Sequence, residues 1–299
     1  MHFRIRELPV LGIISLLAFA GCSTDREPPP QVSAAQDTAR DTVAIRPAKA
    51  PFRVPAESEV SDSATLASVR RGRALIHNTR DSLPQYARAN NTCANCHLAD
   101  GTMKDAMPLV GSYARFPQYR ARSGRVDLIE NRINDCFERS MNGRALDRNG
   151  QDMRDIVAYL AFLSRGFPVG IDMEGQGMPA IGPLTGDTAS GRAVYASSCT
   201  ACHGANGEGT VAAPPLWGPR SYNIGAGMAR VGTAARFIHK FMPRDRPGSL
   251  TTQQAFDVAA YVNSRPRPDF ARKEDDWPRG GAPPDAAYAT RGAAAQKKQ

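Results

Sequence analysis

Two short cysteine–histidine motifs are the residues of this chain whose types and spacing most directly indicate chemistry. Both have the form C-x-x-C-H, and they supply Cys93, Cys96 and His97, then Cys199, Cys202 and His203. In such a motif the two thiols can form thioether bonds to one porphyrin edge while the adjacent histidine reaches the iron. The sequence therefore predicts two covalently bound haem c groups, with His97 and His203 as proximal iron ligands.

Two other kinds of site use the same residue types. Cysteine pairs of this spacing can hold zinc or act as redox-active dithiols. The sequence has no partner Cys/His pair at zinc-finger spacing and no thioredoxin-like alternation of strands and helices. Haem attachment is therefore the favoured interpretation.

The distal ligand of the second haem is predicted from spacing. Met242 follows His203 by 39 residues and precedes a proline, the place where a class I cytochrome c carries its axial methionine. A thioether ligand raises the potential of the iron and suits an electron carrier. His239 and Lys240 are rival ligands on the same turn, whereas Met228 is more remote and is interpreted as a packing residue.

The first haem has an unusual candidate at the corresponding position. Cys136 lies 39 residues after His97, and Met141 is the conventional rival. In a continuous helix of about 100° per residue, Arg132 and Ser140 lie about 40° to either side of Cys136, and Met141 about 140° away. Spacing favours Cys136 as the ligand, with Met141 or a merely structural buried cysteine as alternatives. A thiolate ligand would lower the potential of this haem relative to the second.

The sequence around Cys136 is rich in arginine. Guanidinium groups bind sulfate-like and phosphate-like oxyanions through paired charged hydrogen bonds. Haem propionates and solvent could account for some of these side chains, and the net charge of +9 has a compositional explanation as well. An anionic substrate or an acidic partner would account for the remaining arginines. The arginines concerned are Arg115, Arg120, Arg122, Arg125, Arg132 and Arg139.

An internal repeat predicts the elements that position these residues. Each motif follows a helix that contains Gly-Arg-Ala, at Gly72 and at Gly191, and each repeat closes with a helix containing Ala-Tyr. Glycine within a helix costs about 1 kcal/mol relative to alanine, so its recurrence indicates close helix crossing. Asp62 and Asp187 are predicted caps of the leading helices. The pattern predicts an all-α fold of two tandem class I cytochrome c-like domains.

The amino terminus carries an export signal. An apolar run ends at Gly21-Cys22, which is typical of a bacterial lipoprotein signal whose cysteine is lipidated, although ordinary cleavage nearby is the alternative. We expect an exported, periplasmic protein, anchored to a membrane only by lipid on Cys22, and Ser23 slightly favours the outer membrane.

The predicted organisation has six parts, and no nucleic-acid partner is expected of an exported chain without a basic low-complexity arm. Pro-rich and charged composition without apolar periodicity predicts disorder at both ends. The parts are a signal peptide at 1–21, a disordered tether at 22–60, a first cytochrome c domain at 61–169, a linker at 170–186, a second cytochrome c domain at 187–268 and a disordered tail at 269–299.

Three stretches carry a resemblance to a known family. The segments IENRINDCFERSMNG, YRARSGRV and SYNIGAGMARVGTAARFIHKFMP resemble the dihaem thiosulfate dehydrogenases, which join two thiosulfate ions into tetrathionate. The resemblance covers about Asp62 to Pro268. It implies that Cys136 is the distal ligand of an active-site haem and is essential for turnover. It also places Arg122, Arg132 and Ser140 at substrate-binding positions, and His203 and Met242 at the electron-exit haem.

The resemblance implies a thiosulfate:cytochrome c oxidoreductase whose acceptor is a soluble or membrane-bound c-type cytochrome. Some members carry a lysine immediately before the axial methionine as an alternative ligand, but Phe241 occupies that position here, so steady His203/Met242 ligation is expected. Two other functions use the same residues. One is a dihaem electron carrier without its own substrate, which requires Met141 as ligand, and the other is the same enzyme acting as a tetrathionate reductase.

Overall fold

The computed structural model describes residues 49–290 and residue 292, and it is predominantly helical. The predicted signal peptide, Cys22 and most of the predicted tether lie outside the described residues. Within them, no helix is long and apolar enough to cross a membrane. The α-helices are α1 Ser63–His77, α2 Thr79–Ser82, α3 Ile129–Arg139, α4 Gln151–Phe162, α5 Thr188–Ser198, α6 Thr200–His203, α7 Val231–Phe241 and α8 Thr252–Ser264.

One small sheet projects between the helices of the first repeat. Strands β1 (Gln118–Arg120) and β2 (Arg125–Asp127) pair antiparallel, with Tyr119 opposite Val126. The turn between them contains Arg122. The all-α prediction is confirmed in architecture, because this hairpin is a short insertion before α3.

Two crossed helix pairs form the frame of the repeats, α1 with α4 and α5 with α8. The leading helices begin where predicted, since the Asp62 carboxylate accepts from the Thr65 amide at 2.5 Å and the Asp187 carboxylate accepts from the Ser190 amide at 2.7 Å. At each crossing a glycine allows backbone contact. A Cβ atom on Gly72 or on Gly191 would lie 2.0 Å from a carbonyl oxygen of the facing helix. The prediction of close helix crossing is confirmed.

This geometry makes the two helical glycines sensitive to the smallest possible side chain. Gly72→Ala cannot be accommodated without separating α1 from α4, because the obstructing atom is the Asp155 backbone carbonyl. We expect a loss of unfolding free energy of about 1–3 kcal/mol, measured by urea unfolding followed by far-ultraviolet circular dichroism. Gly182→Ala is the matched control, since no atom lies within 4 Å of its added methyl group. Equal urea midpoints for the two variants would contradict the crossing.

Each repeat has its own apolar core, and a further cluster joins the repeats. The first core contains Phe137 of α3 and Tyr159 of α4, and the second contains Tyr195 of α5 and Trp217. The joining cluster places Leu98 and Ala106 of the first repeat against residues of α7. Because Leu98 directly follows a predicted haem-binding histidine, the contact between domains lies beside the first haem motif.

The prediction of a disordered tether is wrong for residues 49–60. Ala50 forms a parallel bridge with Met173, in which its amide donates to the Asp172 carbonyl at 2.8 Å. Val60 is buried in the first core. The few apolar residues of this stretch are scattered among prolines and charges, so their packing leaves no periodic pattern in the sequence.

The prediction of a disordered tail is also wrong, for residues 269–290. We call this stretch the C-terminal segment. Phe270, Asp276 and Trp277 are only 5, 3 and 6% exposed. The segment is fixed by ion pairs and ring contacts with arginines more than a hundred positions away, which composition and local periodicity cannot reveal.

Candidate active site

A cavity of about 270 Å³ lies between the first C-x-x-C-H motif and helix α3. The predicted proximal ligand and the predicted distal ligand of the first haem both face this one space. The residues that line the cavity include Cys93, Cys96, His97, Arg132, Cys136 and Ser140.

The same backbone contact orients both predicted proximal histidines. The His97 Nδ1 atom lies 2.5 Å from the Met107 carbonyl oxygen, and the His203 Nδ1 atom lies 2.8 Å from the Pro214 carbonyl oxygen. A carbonyl only accepts, so Nδ1 carries the proton and donates in each case, which leaves the Nε2 lone pair for a metal. Two histidines held in this tautomer beside two cysteines fit two c-type haems.

Three of the four motif cysteines lie in surroundings that favour the neutral thiol over the thiolate. Burial raises the pKa of both Cys93 and Cys96 to about 12 and that of Cys199 to about 11. Zinc binding and disulfide exchange both need thiolates, which these surroundings disfavour. The structure thus supports haem attachment over the two alternatives.

Cys136 has the same intermediate exposure as Cys93 and Cys96, but its pKa is shifted in the opposite direction. Burial raises the pKa of its thiol, yet the Arg132 charge and hydrogen bonds with His97 and Arg132 outweigh that effect and bring the pKa to about 6. The Arg132 Nη1 atom donates to the Cys136 Sγ atom at 2.7 Å, from one turn earlier on α3. The Arg132 guanidinium thus favours the thiolate form of Cys136, next to a predicted haem ligand.

Met141 also lines the cavity, but its surroundings are those of a core residue. It is 4% exposed and belongs to the first apolar core, and its carbonyl accepts from the amides of Arg88 and Ala89. Helix α3 ends at Arg139, so the helical phase that would separate Cys136 from Met141 does not extend to Met141. Cys136 is favoured over Met141 because Arg132 donates a hydrogen bond to its sulfur.

Three of the six arginines of this region line the cavity, namely Arg115, Arg120 and Arg132. Burial and repulsion from Arg132 both lower the pKa of Arg120, which shows that two guanidinium groups share a space poor in water. The Ser112 Oγ atom is buried without a hydrogen-bond partner, and the Arg120 Nε atom also makes no hydrogen bond, although it lies 3.9 Å from an Asp127 carboxylate oxygen. A buried hydroxyl that lacks a partner, next to two guanidinium groups, favours the binding of an anion.

Arg122 is not among the residues that line the cavity, in contrast to its predicted role in substrate binding. Its Nε atom donates to Asp276 at 2.9 Å, and its guanidinium stacks on Trp277 at 4.6 Å. Arg139 is also directed to Asp276, at 2.7 Å. The physical reason is the C-terminal segment, whose order was not predicted, and Asp276 is the residue that sequence reasoning missed. Ser140 and Arg132 do line the cavity.

The second predicted axial ligand, Met242, follows α7 directly and is partly buried in the cluster that joins the repeats. One polar rival is engaged elsewhere, because the Lys240 Nζ atom pairs with an Asp105 carboxylate oxygen at 2.7 Å. The His239 Nδ1 atom donates to the Leu250 carbonyl at 3.0 Å, which leaves its Nε2 lone pair available, as in His97 and His203. Met228 packs among apolar residues, as predicted. These contacts favour Met242 over Lys240 and Met228.

Two family models match the chain in tandem. Residues 84–169 match "SoxA/TsdA, cytochrome c domain", and residues 186–262 match "Cytochrome C oxidase, cbb3-type, subunit III". Both are cytochrome c modules. The chain thus has two cytochrome c domains, which carry two covalently bound c-type haems.

Curated relatives match along most of the chain. A thiosulfate dehydrogenase from Psychrobacter arcticus is 41% identical over 252 residues, which are 82% of this chain and 76% of the relative. A thiosulfate dehydrogenase from Allochromatium vinosum is 43% identical over 244 residues, which are 78% of this chain and 90% of the relative.

A solved structure has the same fold. The thiosulfate dehydrogenase TsdBA from Marichromatium purpuratum superposes with a TM-score of 0.70 at 38% identity and covers 74% of this chain. The match spans 51% of that longer chain, about half its length. On the evidence of the two domains and of these relatives, the chain belongs to the thiosulfate dehydrogenase family.

Proposed function

We propose that this protein is a thiosulfate:cytochrome c oxidoreductase that couples two thiosulfate ions into one tetrathionate. The observation that carries the proposal is the Cys136 thiolate, held by Arg132 in a cavity shared with the first haem motif. A dihaem electron carrier without a substrate would have no need of a cysteine sulfur paired with an arginine inside a cavity that a second arginine also lines. The coupling forms one sulfur–sulfur bond and releases two electrons.

The chain offers a complete set of side chains for both cofactors. Cys93 and Cys96 would attach the first haem, with His97 and Cys136 as its iron ligands. When bound, the two haems supply one-electron redox chemistry and can together take up the two electrons. The corresponding residues for the second haem are Cys199, Cys202, His203 and Met242.

The cavity arginines overcome the main obstacle to the reaction, which is that both reactants are dianions. Arg120 and Arg132 provide positive charge in a buried setting, where it is weakly screened. Arg132 also fixes the sulfur of Cys136 by its hydrogen bond, and Ser140 lines the same cavity. Holding two anions in one site lowers the entropic cost of joining them, and the arginine charges lower the electrostatic cost.

Electrons then leave through the second domain to a c-type cytochrome acceptor. The Lys240–Asp105 ion pair and the cluster around Leu98 hold the second domain against the first haem motif, which supports a short route between the haems. The amino-terminal signal supports an exported, periplasmic location with a lipid anchor on Cys22, and the outer membrane is favoured by Ser23.

The proposal is tested with purified holoprotein under anaerobic conditions. Thiosulfate should reduce the haems, and tetrathionate should reoxidise them, as followed by the haem absorption bands. Sulfate, a similar anion that cannot couple, is the control and should leave the spectrum unchanged. Haems that stay oxidised in excess thiosulfate and reduced in excess tetrathionate would refute the function.

The assignment of Met242 predicts a specific spectral loss. Met242→Leu should remove the weak long-wavelength absorption band of His/Met-ligated ferric haem and lower the potential of the second haem, since a thioether ligand raises it. Lys240→Ala is the control and should keep the band, because Lys240 pairs with Asp105. A band that survives Met242→Leu would rule out this methionine as the ligand.

A further inference from the structure

The C-terminal segment contacts the β1–β2 hairpin and helix α3, two elements that carry cavity-lining residues, through one buried carboxylate. Asp276 accepts from Arg122 at 2.9 Å and from Arg139 at 2.7 Å, and it also accepts from the Tyr288 hydroxyl. Arg122 lies in the turn of the β1–β2 hairpin, directly after the strand that carries Arg120. Arg139 lies on α3, three residues after Cys136. Asp276 thus connects the hairpin that carries Arg120 with the helix that carries Arg132 and Cys136.

Aromatic residues of the same segment complete each connection. Trp277 stacks on Arg122 with 4.6 Å between the guanidinium carbon and the ring centre, and Phe270 stacks on Arg139 at 4.5 Å. The Trp277 amide donates to the Arg122 carbonyl at 2.8 Å, which fixes the hairpin backbone as well. A guanidinium held by a buried carboxylate and a ring face has little conformational freedom.

The segment fits the hairpin turn closely and continues onto the second domain. A Cβ atom on Gly124, in the same turn, would lie 2.5 Å from Pro278. Further along, the Asp285 carboxylate accepts from the Gly232 amide at 2.9 Å, at the start of α7. The helix that leads to Met242 is therefore joined to the same segment. Neither matched family model extends over it, since the second one ends at residue 262.

Asp276 also balances charge near the site. Arg139 lies close enough to Arg132 for the two positive charges to repel, and Asp276 and Asp135 are its counterions. Without Asp276, the guanidinium of Arg122 would lose its ion pair and that of Arg139 would keep only Asp135. A buried charge that loses its partner is costly, so the hairpin and α3 would rearrange.

We propose that Asp276 is a positioning residue, and that through it the C-terminal segment sets the arrangement of the β1–β2 hairpin and helix α3 around the cavity. The inference rests on the proposed function for its kinetic consequence. Its effect on the first haem does not depend on any substrate, so the two claims can fail separately.

The test compares holoproteins of the wild type and the Asp276→Asn variant. We expect at least a tenfold rise in KM for thiosulfate with a smaller change in kcat, because Arg120 and Arg132 lose their fixed spacing. The reduction potential of the first haem should rise, since removal of a negative charge favours the reduced iron. The second haem should keep its spectrum, which shows that the protein is folded. Asp276→Glu, which retains the charge, should restore most of both properties.

The matched control is Asp269→Asn, which removes a carboxylate of the same segment whose ion pair with Lys273 is local and exposed. It should behave as the wild type.

If Asp276→Asn yields no holoprotein, Tyr288→Phe removes only the hydroxyl shared by Asp276 and Arg122, and should still raise KM two- to fivefold. An Asp276→Asn holoprotein, or failing that a Tyr288→Phe holoprotein, with wild-type KM and wild-type first-haem potential would overturn the proposal. If thiosulfate does not reduce the haems of the wild-type protein, only the enzyme function is refuted. The reduction potential of the first haem in Asp276→Asn would still decide the role of Asp276.

Discussion

Cys136→Ala should reduce thiosulfate oxidation by roughly a thousandfold or more while both haems remain attached. The variant loses the sulfur that is the predicted iron ligand and the acceptor of the Arg132 hydrogen bond. Activity is measured as reduction of a c-type cytochrome by thiosulfate. Haem content is measured independently, and two haems per chain are expected because the attachment cysteines are untouched.

The matched control for this prediction is Met141→Leu. Met141 lines the same cavity and is the conventional sulfur ligand, so a change of similar volume there tests the alternative directly. We expect at most a modest loss of activity. A variant Met141→Leu that is inactive beside an active Cys136→Ala would reverse the assignment of the ligand.

Arg132→Gln should lower kcat/KM for thiosulfate about a hundredfold. A hydrogen bond to a charged group contributes about 1.5–3 kcal/mol, and Arg132 makes one to the Cys136 thiolate in addition to supplying charge for the substrate anions. Steady-state kinetics with a saturating cytochrome acceptor measures the loss. Arg132→Lys keeps the positive charge but lacks the planar guanidinium group. Its kcat/KM should lie between the values of the wild type and of Arg132→Gln.

The same substitution has a predictable pH dependence. The thiolate form is favoured above the pKa of Cys136, which Arg132 helps to bring to about 6. Removing Arg132 raises that pKa, so the acid side of the activity profile should move to higher pH. Arg125→Gln is the control, because Arg125 is exposed and pairs with Asp127 outside the cavity. An unchanged profile and kcat/KM in Arg132→Gln would show that the contact with Cys136 has no role.

The crossed helix pairs were predictable because the sequence features that mark them are local and occur in both repeats. Gly72 and Gly191 indicated helix crossings. In both repeats the structure has a backbone carbonyl of the facing helix where the methyl group of an alanine would lie. Asp62 and Asp187 cap their helices by the short-range rule that sequence patterns express. The contact of Arg132 with Cys136 is likewise a one-turn relation within a single helix.

The distribution of the arginines was not predictable, because it depends on a partner far away in the chain. Arg120 and Arg122 are two residues apart in one arginine-rich stretch, yet one lines the cavity and the other pairs with Asp276. Their roles are decided by the C-terminal segment, whose composition suggested disorder. Burial of isolated aromatic residues such as Trp277 depends on tertiary contacts, and a periodicity argument cannot detect it.

The proximal histidines show a third kind of information that only the fold provides. The carbonyls of Met107 and Pro214 fix their tautomers from loops 10 and 11 residues further along the chain. No side-chain pattern marks a backbone acceptor, so the motif predicted the ligand but not what orients it.

Ligation of the first haem iron by the Cys136 sulfur is tested directly by electron paramagnetic resonance of the oxidised holoprotein. We expect two low-spin ferric signals, one of them typical of His/thiolate ligation. That signal should disappear in Cys136→Ala and persist in Met141→Leu. A wild-type spectrum without a thiolate signal, or with one that survives Cys136→Ala, would contradict ligation by Cys136.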